Sequence, residues 1–153
     1  MIPDKVQKVL MENNLEAIEF DAGSTPTARL AAEALGVEVG QIAKSLLFIG
    51  KNGKYYMVLC PGDRKVSGSK LKGAIGVKSR MANASETHSA TEFLPGGVCP
   101  FGIEGIEILL DIHLKSHATI YPAAGTDASG VPMTFDQLQE ISKGRVCDLT
   151  VQI

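Results

Sequence analysis

The sequence predicts an α+β domain built on a mixed, strongly curved sheet, and three observations carry that expectation. Segments with strand patterning and short amphipathic segments interleave without the regular strand–helix–strand spacing of a parallel sheet. Ser45 to Ile49 and Tyr55 to Leu59 are β-rich runs joined by Gly50-Lys51-Asn52-Gly53-Lys54, the pattern of a hairpin with a glycine-containing loop. The chain has 153 residues, 44% hydrophobic and 21% charged, enough for one core and far from the composition of a disordered segment. No repeat or linker-like break interrupts it, so residues 1–153 read as one domain.

Each element follows from local pattern. Val6, Val9, Leu10 and Asn13 keep helical spacing after Pro3, which predicts a first helix ending near Asn13-Asn14. Ile18 and Phe20 alternate with Glu19 and Asp21 as in a short strand. In Ser24-Thr25-Pro26-Thr27, Thr25 is placed to cap a second helix and Pro26 to begin it, with Leu30, Ala31, Ala34 and Leu35 as its buried stripe and Gly36 as its stop. Beyond the hairpin, Ser69 to Ala74 reads as a short helix and Val77 to Met81 as a strand. Ser85 to Phe93 reads as a helix preceded by Asn83. Ile106 to Leu110 and Thr119 to Pro122 read as strands, with a helical turn opened by Asp111 between them. Thr134-Phe135-Asp136-Gln137 has the form of a capping box, predicting a last helix to about Ser142, and Arg145 to Val151 closes the chain as one strand.

Several classes of function are disfavoured by composition. No run approaches the roughly 18 apolar residues of a membrane span, and Met1-Ile2-Pro3-Asp4-Lys5 lacks the apolar core of a secretory signal, so a cytoplasmic protein without membrane contact is expected. Cys60, Cys99 and Cys147 are odd in number and widely spaced, suggesting neither a disulfide framework nor a thiolate metal site. Asp111, His113 and His117 form D-x-H-x3-H, but the HExxH glutamate is missing, and they read as core or surface residues. No metal and no cofactor is expected. The formal charge of −2 conceals a basic stretch. Arg64, Lys65, Lys70, Lys72, Lys78 and Arg80 fall within seventeen positions that hold no acid. Such a stretch is either a solvated face or a surface for a polyanion.

Two features could carry chemistry. If a strand begins at Lys44, its two-residue period sets the ammonium on one face with Leu46 and Phe48. There it either reaches solvent from the strand end or enters a pocket to hold a phosphate or a developing negative charge. In Pro95-Gly96-Gly97-Val98-Cys99-Pro100-Phe101-Gly102, paired glycines make either a tight turn or a loop whose amides face a carbonyl oxygen. Cys99 in that loop is a candidate nucleophile, although no histidine partner can be placed beside it.

Taken together, Ala43-Lys44-Ser45-Leu46, Pro61-Gly62-Asp63-Arg64-Lys65-Val66 leading to Lys70-Leu71, the Gly96-Gly97-Val98-Cys99-Pro100 loop, and Ala124-Gly125 before the last helix resemble the YbaK/ProX family. These are free-standing relatives of the editing domain of bacterial prolyl-tRNA synthetase. The resemblance spans nearly the whole chain. It implies a barrel-like sheet flanked by helices and a metal-independent deacylase that cuts the ester between a wrong amino acid and the 3′-terminal adenosine of tRNA, with tRNA-Pro carrying a small amino acid as the expected substrate. It also implies that Lys44 anchors the terminal phosphate or the substrate carbonyl, and that the amides of Gly96 and Gly97 hold the carbonyl oxygen. Ser45, Val98, Cys99, Pro100, Gly102 and Gly125 would border the pocket. Arg64, Lys65, Lys70, Lys72 and Arg80 would dock the acceptor end through salt-dependent phosphate contacts. Prolyl-tRNA synthetase is the protein partner suggested, and DNA is not expected. Ala123 and Ala124 stand where some relatives carry a polar pocket residue, which leaves the amino acid unassigned. A module of this fold that binds tRNA or a synthetase without hydrolysis is the alternative.

Overall fold

The computed structural model describes residues 1–153. Helix α1 (Asp4–Glu12) buries Val6 and Leu10, one turn apart, and ends at Asn13. Strand β1 (Ile18–Glu19) is only two residues long. Helix α2 (Ala28–Leu35) is capped by Thr27, whose side chain accepts from the Leu30 N–H, and stops at Gly36 in the left-handed region. The expected cap, Thr25, is buried instead, and its hydroxyl donates to the Asp127 carbonyl. A 3₁₀ turn over Val39–Gln41 leads into β2 (Ile42–Gly50), which forms the expected hairpin with β3 (Tyr55–Pro61). Strand β4 (Arg64–Val66), helix α3 (Gly68–Ile75), strand β5 (Ser79–Met81) and helix α4 (Ala84–Thr91) follow. Helix α4 starts at a reciprocal Asn83–Glu86 capping box. Strand β6 (Glu107–Asp111), a 3₁₀ turn over Ile112–Ser116, β7 (Tyr121–Pro122), β8 (Ser129–Gly130), helix α5 (Phe135–Ser142), β9 (Arg145–Cys147) and β10 (Thr150–Gln152) complete the chain. The predicted Thr134–Gln137 capping box opens α5.

Six strands form a mixed sheet in the order β5-β2-β3-β6-β9, with β7 also paired to β2. The β2–β3 and β2–β5 pairs are antiparallel, whereas β3–β6, β6–β9 and β2–β7 are parallel. Two-residue alternation explains its two apolar faces. Ala43 and Leu47 of β2, Met57 and Leu59 of β3 and Ile108 and Leu110 of β6 join the larger core with α1 and α5. Phe48, Tyr56, Val58, Cys60 and Leu109 point the other way, onto Leu71 of α3 and Leu149.

Two expectations differ from what is observed. The strands do not make a closed or strongly curled sheet. Strands β5 and β9 end it, and β1–β8 and β4–β10 pair off as separate two-stranded ribbons. The predicted final strand from Arg145 to Val151 is broken at Asp148-Leu149, so β9 pairs with β6 while β10 crosses to β4. Buried Asp111 fixes that crossing. Its carboxylate accepts from the Leu149 N–H at 3.0 Å and from the Thr150 hydroxyl at 2.7 Å.

Candidate active site

A cavity of about 240 Å³ opens along β2 where neither β5 nor β7 covers it. Lys44, Ser45 and Leu46 form one wall, Ala28, Ala31 and Leu35 of α2 another, and Gly96, Val98, Ala123 and Asp127 the mouth of two loops. This explains the helix α2 correction. Of its predicted stripe, Leu30 and Ala34 are exposed, Ala31 and Leu35 line the cavity, and the buried residue is Ala32. Its apolar side chains therefore wall a hollow more than they fill a core.

Lys44 is half-buried, and its ammonium makes no hydrogen bond or ion pair within the protein. Other partly buried lysines are engaged. Lys5 meets the Thr91 carbonyl and Glu92, and Lys70 meets Asp148 and the Thr150 carbonyl. An ammonium held in a cavity without a counter-charge is ready to receive an anionic or carbonyl oxygen. Opposite Lys44 lies Cys60, whose thiol burial pushes up to about 12, against a smaller opposing pull from the lysine charge.

The glycine pair divides into two roles. Gly96 has φ of +91° and borders the cavity. Gly97 is required by a crossing of loops, since a Cβ there would stand 2.9 Å from Thr126 Cα and 3.0 Å from the Gly125 carbonyl. Its N–H is already spent, donating to the Leu94 carbonyl at 3.0 Å. The expectation that both glycine amides face a substrate therefore needs correction. Of the loop N–H groups without an acceptor in the protein, those of Gly96 and Val98 belong to residues that line the cavity.

The other expected pocket residues are dispersed. Cys99 is fully buried, and burial pushes its thiol up to about 12, so it is neither exposed nor a thiolate at neutral pH. Pro100 is buried outside the cavity, and Gly102 sits against the Lys5 side chain. Gly125 borders a second hollow with Gly97, Leu94 and His88 on the far side of the bend. Asp127, which sequence reasoning passed over, lines both hollows, and no protein group pairs with its carboxylate. A solitary aspartate between turn-forming residues carries no sequence signal of that position.

The basic stretch does not form one free surface. Arg64 bonds the Thr150 hydroxyl and carbonyl, Lys70 is held by Asp148, and Arg80 makes a two-pronged pair with Glu86. Lys65, Lys72 and Lys78 carry no ion pair, and Lys78 shares a shallow hollow with Lys51 and Arg80. His117 stands near Glu38 and borders one hollow with His113, whose ring contacts Asp111. Asp111, His113 and Asp148 lie close together, but Asp111 is occupied by Leu149 and Thr150.

The open mixed sheet thus carries an unpaired lysine beside a glycine bend, and comparison with known proteins gives the family. Residues 22–141 match the model of the aminoacyl-tRNA editing domain, and the chain belongs to that family. It is 36% identical over 132 residues to the uncharacterized protein YwhH of Bacillus subtilis, covering 86% of this chain and 83% of that one. A 91-residue stretch is 39% identical to part of a proline–tRNA ligase of Fervidobacterium nodosum, covering 58% of this chain and 16% of the ligase. Among solved structures, one described as "a putative trans-editing enzyme for prolyl tRNA synthetase" superposes with a TM-score of 0.88 at 33% identity, covering 96% of this chain and 95% of that one.

Proposed function

We propose that this protein is a free-standing editing deacylase that hydrolyses the ester of a mischarged tRNA, with tRNA-Pro bearing a small noncognate amino acid as the preferred substrate. The observation that carries this reading is the meeting of one unpaired ammonium, Lys44, with the unpartnered N–H groups of Gly96 and Val98 around a single cavity. Its volume of about 240 Å³ accommodates an aminoacyl group.

The ester is already activated, so the site needs to supply charge stabilisation more than a nucleophile. Water adds to the acyl carbon, and the carbonyl oxygen becomes an oxyanion received by main-chain N–H groups. Lys44 holds the neighbouring phosphate or the same oxygen. The acyl–oxygen bond then breaks, the ribose 3′ oxygen takes the proton released by the water, and the free amino acid departs. No metal or cofactor takes part in this scheme.

A panel of mischarged tRNAs, assayed with the wild type and Lys44→Ala in the presence of a chelator, tests it. The wild type should release one or a few noncognate amino acids, and Lys44→Ala should lose on the order of a hundredfold or more. Equal turnover by the two proteins removes Lys44 from the mechanism. Binding of charged tRNA without turnover makes the protein a recognition module instead.

A further inference from the structure

The break in the edge of β2 has a chemical consequence. Hydrogen bonding along this strand alternates. Even-numbered residues face β3, as the Gly50 N–H donating to the Lys54 carbonyl and the Ile42 carbonyl accepting from the Gly62 N–H show. Odd-numbered residues face the other edge. There Leu47 accepts from the Ala82 N–H, and the Lys51 N–H donates to the Lys78 carbonyl. Strand β7 reaches β2 only at Ile42 and Ala43, and β5 only at Phe48 to Gly50. Ser45 is the odd-numbered residue left between them. Its N–H and C=O point into the gap, bond nothing in the protein, and belong to a residue that lines the cavity. Main-chain groups of a largely buried strand are rarely left in this state unless water or a ligand completes them.

We propose that the gap receives the aminoacyl group of the substrate as if it were one residue of an added strand. The Ser45 C=O accepts from the α-ammonium, and the Ser45 N–H donates to the acyl oxygen. An aminoacyl ester carries a donor nitrogen and a carbonyl on either side of one carbon, the same unit that an antiparallel neighbour presents to a strand. Ser45 thereby supplies a main-chain donor to the acyl oxygen, the role that the engaged Gly97 N–H does not fill. This pairing reads what all aminoacyl esters share and leaves side-chain selection to the apolar wall of Ala31, Leu35 and Ile42. The gap is one residue wide, so it suits an aminoacyl group and not a peptidyl one. The inference rests on the deacylase reading.

Two amide-linked, non-hydrolysable probes test it on the wild type: 3′-alanylamino-3′-deoxyadenosine and its 3′-propionylamino counterpart, which lacks the α-amino group. By amide NMR, the alanyl probe should shift the Ser45 N–H and slow its hydrogen exchange, and the propionyl probe should bind at least tenfold more weakly. If the Gly96 and Val98 amides respond while Ser45 does not, or if both probes bind equally, the strand-like pairing is overturned and the deacylase reading stands. If no cavity amide responds to either probe, the aminoacyl-adenosine site itself is refuted. A kinetic arm isolates the donor. With lactic acid at position 45 in place of alanine, which replaces one N–H by oxygen, turnover should fall about a hundredfold below Ser45→Ala. Equal rates for these two proteins overturn the donor assignment.

Discussion

Ser45 Oγ is the buried side-chain oxygen that finds no hydrogen-bond partner in the protein. It sits on the β2 face shared with Ala43 and Leu47, opposite Leu59, in apolar surroundings. Burying a hydroxyl without a partner costs about 1–3 kcal/mol. Ser45→Ala removes that cost and little volume, so it should raise stability by about 1 kcal/mol. The corresponding rise in Tm is about 2–4 °C for a chain of this size. A calorimetric scan showing a lower Tm would mean that the hydroxyl is satisfied in solution. Lys44 presents the same residue-scale logic with a charge, because its neighbours leave the ammonium unpaired while Lys5 and Lys70 are tied down. The sequence marked Lys44 through its place at a strand start beside large apolar residues. It could not mark Asp127, whose importance comes from two loops meeting. Nor could it reveal that the Gly97 amide is consumed, since the Leu94 carbonyl it meets is set by the path of the turn.

The loop from Leu94 to Val98 and the segment from Gly125 to Asp127 act as one element, because each fixes the other's backbone. A Cβ at Gly97 would press on the main chain of Gly125 and Thr126, which cannot rotate away as a side chain can. Gly97→Ala should therefore cost about 1–3 kcal/mol of stability and displace Gly96, Val98 and Asp127 together. The check is a denaturant titration paired with a turnover assay. Full stability and full turnover in Gly97→Ala would show that the loops yield freely. Elements of this kind separate what local pattern discloses from what it hides. The hairpin of β2 and β3 and the capping boxes of α4 and α5 were legible because their signals lie within a few residues of one another. The break between β9 and β10 was not, because it depends on Asp111, nearly forty positions earlier, drawing Leu149 and Thr150 out of line. Helix α2 is legible in the sequence, but the face it buries is not. Its small apolar residues satisfy the pattern of a core stripe equally well when they wall a cavity.

At the scale of the whole molecule, the excess of six cations over the stretch from Arg64 to Arg80 divides into a structural part and a free part. Lys70 joins α3 to the C-terminal strand through Asp148, whose carboxyl the lysine holds below the usual range, and through the Thr150 carbonyl. Arg64 grips the same threonine, and Arg80 is neutralised by Glu86, held down to about 2 by that contact. Lys78 has no such partner. It borders a hollow with Lys51 and Arg80 at the far end of β2 from the cavity. Six residue-to-residue steps of extended strand, from Lys44 to Gly50, separate the two places by roughly 20 Å. An acceptor stem lying along this edge would meet Lys51 and Lys78 while its 3′ end enters the cavity. Lys78→Ala should accordingly weaken tRNA binding, lower the slope of log affinity against log salt by about 1 and leave Tm unchanged. Lys70→Glu should act on the fold, because a carboxylate there faces Asp148 and a carbonyl, and its main effect should be a lower Tm. Binding isotherms at several salt concentrations, with a melting curve for each variant, separate the two outcomes. If Lys70→Glu melts like the wild type and Lys78→Ala keeps the wild-type salt slope, the division of the basic stretch into a fold-building part and a tRNA-facing part is wrong.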